Sequence, residues 1–479
     1  MYSRALAALG EEYIISWVEA FYDCCKHKKS SIQCILYRLN AVDLITLACD
    51  VAIRQYSPSV SITFIVVHPR LREIFAAHFR DRIVQHWIVL RIEPLLEARF
   101  ISQGDVSFNC RKGYGTLAAV NRLEQMMIEV SQNYSVPAYV GRFDISSFFM
   151  SIDVRILWQQ LEPFIKEYYS GDDIETLYYL MRVTIFHRPQ DKCERRGDIR
   201  LWDYLEKSKS LFSSLMFIGM AIGNITSQLL ANFFLSFFDA FIIELCRKHE
   251  ARYIRFVDDF TVVAKSTAVI KLIENQARRW LAENLNLVMH KRKVYIQEVR
   301  HGVKFVGTVI KPGRKYLSNG TWGKFYDALK RLEEICADIS LNGENENNAF
   351  QLDKQLESIN SYLGFAHHNS SYKILRKSFY SLNYFWKVCY PTNHFLKVKI
   401  KKPYKLCEYL YGTHLQSRAA TPQGGRPHRK SGNKNHSHQL RCQGGKRQRA
   451  GQVLLPPGGD VSLSDEPLGH HLRSHQSQV

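Results

Sequence analysis

The period of apolar and polar positions changes several times along the chain. Residues 11–25 read as a helix, followed by the basic run "KHKKSS". "SITFIVVHP" at 61–69 is β-branched and aromatic and reads as a strand. Residues 76–310 then alternate strand-like and helix-like segments. Within them, Tyr139–Phe143 forms a short strand that ends at Asp144, and the Ser146–Ser147 pair is placed to start the next helix. "YIRFVDDFTVVAKS" at 253–266 has two apolar runs joined by a turn, the pattern of a hairpin with Asp258 and Asp259 at its tip. From Ile225 onward a helix is apolar almost all round, which predicts burial. One stripe differs: Asn224, Gln228, Asn232 and Ser236 recur every four residues, as if one side faces a cleft. Residues 322–411 read as largely helical, aromatic and basic.

Ser210 to Phe238 carries no charged residue, long enough to cross a bilayer. Gly219, Gly223, Asn224, Thr226, Ser227, Gln228 and Asn232 interrupt it, so a core helix is expected and no membrane partner. The chain has 479 residues, 46% of them hydrophobic, enough for a large core and more than one domain. Its formal net charge of +20 points to a polyanionic partner, nucleic acid before membrane. The eleven cysteines are scattered without a C-x-x-C pair, which predicts a reduced, cytoplasmic protein without a zinc site. Glu11 and Glu12 fall where a signal peptide needs its apolar core. Residues 413–479 have no Phe, Tyr or Trp and ten Lys/Arg against three Asp/Glu, so a disordered basic tail is expected there.

Adjacent acids at a turn are ordinary, because Asp bonds its own backbone. The flanks here are not ordinary. Phe256, Val257, Phe260, Val262 and Val263 would bury the hairpin. Two carboxylates beside a buried surface repel each other and resist desolvation unless a cation binds them. Asp144 is the best third carboxylate, though alone it also fits a helix cap. Nucleotidyl transfer uses two divalent cations about 4 Å apart. Mg²⁺ takes a few carboxylates and fills its remaining positions with water and phosphate oxygens. A strand-end Asp and a hairpin-tip Asp from one sheet meet that need.

"GRFDISSFF", "IGNITSQLLANFFL", "RYIRFVDDF", "HKRKVYI" and "GVKFVGTVI" resemble, in order and spacing, the palm motifs of reverse transcriptases. "EIFAAHFRDRIVQHWI" and "SFNCRKGYGTLAAVNRL" resemble fingers segments of the bacterial enzymes, and "SINSYLGFAHHNSSYKILRK" the start of a thumb. The resemblance implies an α+β fold with right-hand polymerase architecture: fingers, a palm of antiparallel sheet plus helices, and a helical thumb. It divides the chain into an N-terminal extension leading into the fingers (1–75), fingers and palm (76–310), thumb (311–412) and tail (413–479).

The resemblance also implies roles. Asp144 and Asp258 would ligate two Mg²⁺ ions, with Mn²⁺ as an alternative, helped by the Ile145 carbonyl, and Asp259 would lie close by. Phe149 would press on the sugar. Arg111 and Lys112 would hold the triphosphate, which an Arg fork suits. Lys293 would protonate the pyrophosphate. Phe305, Val306 and Gly307 would form the primer grip. Phe256 stands where the usual hairpin has Tyr. Most reverse transcriptases carry Gln-Gly then Ser-Pro, whereas this chain has Ile222-Gly223 and Ser227-Gln228. With Ile222, Gly223 and Gln228 beside the nucleotide, the pattern is similar to the reverse transcriptases of diversity-generating retroelements, which copy a template RNA with errors at adenines. Implied partners are template RNA, a DNA or cDNA primer, dNTPs and a small, basic, oligomeric accessory protein. A retron-type or defence-associated enzyme, an RNA-dependent RNA polymerase and a non-catalytic RNA-binding scaffold remain open at this point.

Overall fold

Three of the four strands of the central sheet carry Val, Ile or Phe and bury most of these side chains. The computed structural model describes residues 10–26, 32–67, 70–392 and 394–404. The tail expected at 413–479 lies outside them. In chain order the strands begin with β1 (Ser61–Val66), β2 (Arg72–Ala76), β3 (Tyr139–Asp144) and β4 (Cys193–Arg195). They continue with β5 (Arg252–Phe256), β6 (Asp259–Ala264), β7 (Tyr295–Glu298), β8 (Val303–Phe305), β9 (Thr308–Lys311) and β10 (Arg314–Leu317), and close with β11 (Cys389–Thr392) and β12 (Lys397–Ile400). The central sheet has the order β5-β6-β3-β7, antiparallel throughout. A second sheet, β2-β1-β4, joins an antiparallel pair to a parallel one, and a third runs β10-β9-β8.

The helix Ile225–Lys248 is the central pillar, with Phe233, Phe234, Leu235 and Phe238 fully buried. It is long and apolar enough to cross a membrane, but most of its apolar window lies inside the fold. The predicted polar stripe divides. Gln228 is exposed to a cleft, whereas Asn232 and Ser236 are buried and hydrogen-bonded to Ser107, Asn109 and Arg99. The expectation that the whole stripe faces a cleft is therefore corrected: Asn232 ties the helix to a loop and Ser236 ties it to a neighbouring helix, where an unpaired polar group would be costly.

The helix Glu11–Cys25 packs on the helix Phe79–Ser102 through a stacked Trp17–Trp87 pair, 5.4 Å between centroids. Both tryptophans belong to the main core, and a boundary at 75/76 would cut through β2, so the described residues before 76 share one core with residues 76–310. A separate apolar cluster holds the C-terminal helices Asn319–Asn342, Glu346–His367 and Tyr372–Tyr380 around Phe325, Leu332, Ile359 and Phe379. That part is helical as expected, except at its end, where β11 and β12 form an antiparallel hairpin. Pro391 sits within it, a residue that argues against strand in sequence but is tolerated in a two-stranded edge.

Candidate active site

The hairpin β5–β6 closes through a two-residue loop, Val257-Asp258, with Phe256 opposite Asp259. Val257 has φ +60°, a conformation costly for a β-branched residue, at the position a two-residue loop usually gives to glycine. Arg255 holds this loop from below. Fully buried, it donates to the Val257 carbonyl (3.0 Å), to Asn232 Oδ1 (3.0 Å) and to both Asp239 oxygens (2.7 and 2.6 Å). Tyr253 donates its hydroxyl to Asp239 as well (2.7 Å). This polar cluster pins the hairpin to the Ile225–Lys248 helix, and no motif in the sequence announces it.

Asp144 ends β3 directly opposite Asp259 in the β3–β6 register, and Asp258 sits in the neighbouring hairpin loop. Ile145 then pairs with Met289, flanked by Ser146 N–H to Val288 O and His290 N–H to Asp144 O, each 2.8 Å. As a non-hydrogen-bonded pair, Ile145 keeps its carbonyl out of that ladder. Burial pushes the Asp258 carboxyl up to about 7, with further push from Asp259 and Asp144. Asp259 is raised as well, by burial first and by Asp144, against the pull of Arg142, Lys293 and Arg70. Three carboxylates thus share a site whose own cations leave part of their charge uncompensated, which fits divalent cation binding. Among the described residues no group of three His, Cys, Asp or Glu is already drawn to metal-ligand spacing. Instead the Lys293 ammonium bonds Asp144, and Arg142 lies 3.7 Å from Asp259.

A cleft opens over these carboxylates. Asp144, Ile145, Phe149, Ile222, Gly223, Gln228, Asp258, Asp259 and Lys293 all line it, so nine of the residues singled out in sequence meet there. Phe149 is half-buried against Phe148. Its short helix, Phe148–Ser151, does start after the serine pair, but Ser147 has φ +47° and makes no side-chain cap. Asp153 caps the longer helix Val154–Tyr168 instead.

Arg111 and Lys112 are corrected. Neither lines the cleft. Arg111 is buried, bidentate on Glu97 (2.9 and 2.5 Å) with Asp105 at 2.8 Å, and its guanidinium stacks 3.9 Å over Tyr114. Lys112 is exposed and paired with Glu93. The same loop turns Asn109 and Cys110 toward the cleft, and the basic wall is built by Arg70, Arg72 and Lys209, which sequence reasoning passed over. The Phe305-Val306-Gly307 turn joins β8 to β9 outside this lining. Phe305 is fully buried beneath Arg142, so only Val306 and Gly307 of the three are positioned at the surface.

Gly223 has a strict requirement. Its φ is +120°, and an added Cβ would sit 2.8 Å from the Phe75 carbonyl oxygen and 2.9 Å from Ile74 Cγ2. The close approach follows from the bond Phe75 N–H to Ile222 O, 2.8 Å, which ties this loop to β2. Gly223→Ala is expected to cost on the order of 1–3 kcal/mol in backbone strain alone. A melting temperature unchanged from wild type would show that the loop relaxes freely.

Residues 69–310, half of the chain, match the family described as "Reverse transcriptase (RNA-dependent DNA polymerase)". The chain belongs to this family. A curated relative of this reverse transcriptase, Protein YkfC of Escherichia coli (strain K12), is 23% identical over 268 residues, 50% of this chain and 62% of YkfC. The chain thus spans less than two thirds of that relative. Among solved structures, telomerase from Candida albicans in complex with a TWJ fragment of telomeric RNA gives a TM-score of 0.40 at 13% identity, covering 75% of this chain and 60% of that one. Apo telomerase from Candida tropicalis gives 0.39 at 12%, covering 68% and 60%. The mixed fold, helices around a central antiparallel sheet, is consistent with the right-hand architecture expected of this family.

Proposed function

We propose that the chain copies template RNA into DNA at the cleft formed by Asp144, Asp258 and Asp259. The single observation that carries this reading is the juxtaposition of the strand-end and hairpin-tip carboxylates with their charge left partly uncompensated. Asp144 and Asp258 would hold two Mg²⁺ ions, or Mn²⁺, with the Ile145 carbonyl and Asp259 nearby. Such ions, when bound, activate the primer 3′-hydroxyl and stabilise the leaving pyrophosphate. Phe149, on the cleft wall, presses on the sugar and disfavours a 2′-hydroxyl. Lys293, already beside Asp144, is placed to give a proton to the pyrophosphate. The C-terminal helices would act as the thumb, and the half-buried Val306-Gly307 as the accessible part of a primer grip.

We further infer a mutagenic role, in which a template RNA is copied with errors at adenines for a diversity-generating retroelement, together with a small, basic, oligomeric accessory protein. Support comes from Ile222. Its backbone carbonyl is fixed by Phe75, and its half-buried side chain borders the cleft without any hydrogen-bonding atom. Recognition of the incoming base then rests on shape. A lost hydrogen bond of about 1 kcal/mol corresponds to a several-fold change in error rate. The test is primer extension on one RNA template by wild type and Ile222→Gln, with the cDNA sequenced. Wild type should incorporate dNTPs in preference to NTPs, and Ile222→Gln should lower misincorporation opposite adenine. An identical adenine error spectrum in both enzymes would remove Ile222 from the mechanism and weaken the mutagenic reading, and would leave the polymerase standing. Absence of dNTP incorporation by wild type would remove the polymerase reading itself.

A further inference from the structure

The segment between the helices Ile174–Ile185 and Ile225–Lys248 crosses toward the cleft, and one buried acid anchors it. Glu73, on β2, is fully buried. It accepts from Trp202 Nε1 (2.8 Å), Ser210 Oγ (2.9 Å) and the Leu211 N–H (2.7 Å). Lys209, the residue just before the two anchored ones, lines the cleft together with Asp144, Asp258, Asp259, Ile222 and Gly223. Its ammonium is half exposed and bonds Glu206 at 2.6 Å. Glu206 is itself held below the usual carboxylate range, by Lys209 first and by Lys293 and His290 beyond it. Lys209 and Lys293 thus line one cleft with the three carboxylates. A cation next to an anchored backbone, lining one cleft with an anionic centre and with Arg70 and Arg72, is arranged for a ligand that is anionic along its length.

We propose that Lys209 is a phosphate-binding side chain of this site, positioned by the Glu73 anchor, and that Glu206 competes with the phosphate for its ammonium. The proposal rests on the polymerase reading above. Two sources of phosphate enter such a cleft, the triphosphate of an incoming nucleotide and the backbone of the template strand, and the chemistry of recognition is the same for both. Lysine suits either, since it acts as a point charge with rotatable donors rather than a fixed fork.

Equilibrium binding on the full chain separates the sources. One titration measures dNTP affinity with a chain-terminated primer on an RNA template in Mg²⁺; the other measures template–primer affinity without nucleotide across a salt series. Lys209→Ala is expected to weaken one of them about tenfold, as loss of a charge-assisted contact does. A weaker dNTP with unchanged template–primer affinity assigns Lys209 to the triphosphate. A weaker template–primer complex, with a salt slope reduced by about one, assigns it to the backbone. Lys209→Arg should recover most of the loss, and Glu206→Gln should tighten the same ligand that Lys209→Ala weakens. Wild-type affinity for both ligands in Lys209→Ala, or no tightening in Glu206→Gln, overturns the assignment while wild-type primer extension keeps the polymerase reading intact. Failure of the wild-type chain to extend primers overturns that reading, and this one with it.

Discussion

Asp258→Asn is expected to abolish Mg²⁺-dependent DNA synthesis, by on the order of 10³-fold or more, about 4 kcal/mol of lost transition-state stabilisation. Asn preserves the shape of the loop but brings no charge to attract a cation. The same substitution has an opposite effect on stability, which makes it a sharp test. In the folded chain the Asp258 carboxyl is pushed up to about 7, by burial first and then by Asp259 and Asp144, above its ordinary value of 3.8. A carboxyl raised on folding contributes stability that is fully present below the unfolded value and is lost as pH rises through the folded one. Asn has no proton to lose there. With divalent cations chelated, Asp258→Asn should therefore gain in melting temperature over wild type as pH climbs from about 4 to above 7, then hold that lead. Added Mg²⁺ should raise wild type and not the variant. Retained polymerisation, or a stability difference independent of pH, would mean that the three carboxylates do not share a site.

Asp239→Ala should be the most destabilising single change in the region, by about 3–5 kcal/mol, because it strands a buried charge. Arg255 is fully buried, and Asp239 is its only carboxylate partner among the described residues. Tyr253 loses its acceptor at the same time. Denaturant unfolding at neutral pH measures the loss, and a change below about 1 kcal/mol would show that water reaches the guanidinium. Activity should fall even where the variant stays folded, since Arg255 also fixes the Val257 carbonyl and so the aim of Asp258. By contrast, replacing both charged partners with apolar groups of similar size is not expected to cost the sum of the two single changes.

Legibility in the sequence tracked local pattern. The hairpin, the strand ending at Asp144 and the buried helix at 225–248 each carry a period or a turn signal in a few residues, and each is where it was expected. Arg111 failed for a reason no local pattern shows. A motif locates a guanidinium but not its partners, and Glu97 on the preceding helix and Asp105 in the same loop consume it. Arg70, Arg72 and Lys209 were invisible because long-range packing, through buried Glu73, brings them to the cleft. Asp239 directly follows the charge-free run 210–238, and only the fold turns it into the counter-ion of a strand residue. Thus the carboxylates were legible and their electrostatic surroundings were not, since the first depend on neighbours in sequence and the second on neighbours in space.

The antiparallel register places Asp144 against Asp259, and Lys293 reaches Asp144 from 149 positions further along the chain. That arrangement has a kinetic consequence. The middle strand β3 gains its partners only after long intervening segments have been brought together, and the loop-closure entropy is spent before any of these contacts returns it. During synthesis, β3 leaves the ribosome well before β6 and β7 exist to pair with it. Both of its edges stay open in that interval, and an open apolar strand edge is a template for pairing with another chain. The helix Phe79–Ser102, already made, can shelter apolar surface early, but only β6 and β7 can close the edges. Yield of folded protein should therefore depend on the interval between β3 and β7, and rapid elongation after β3, or dilution, favours it over aggregation.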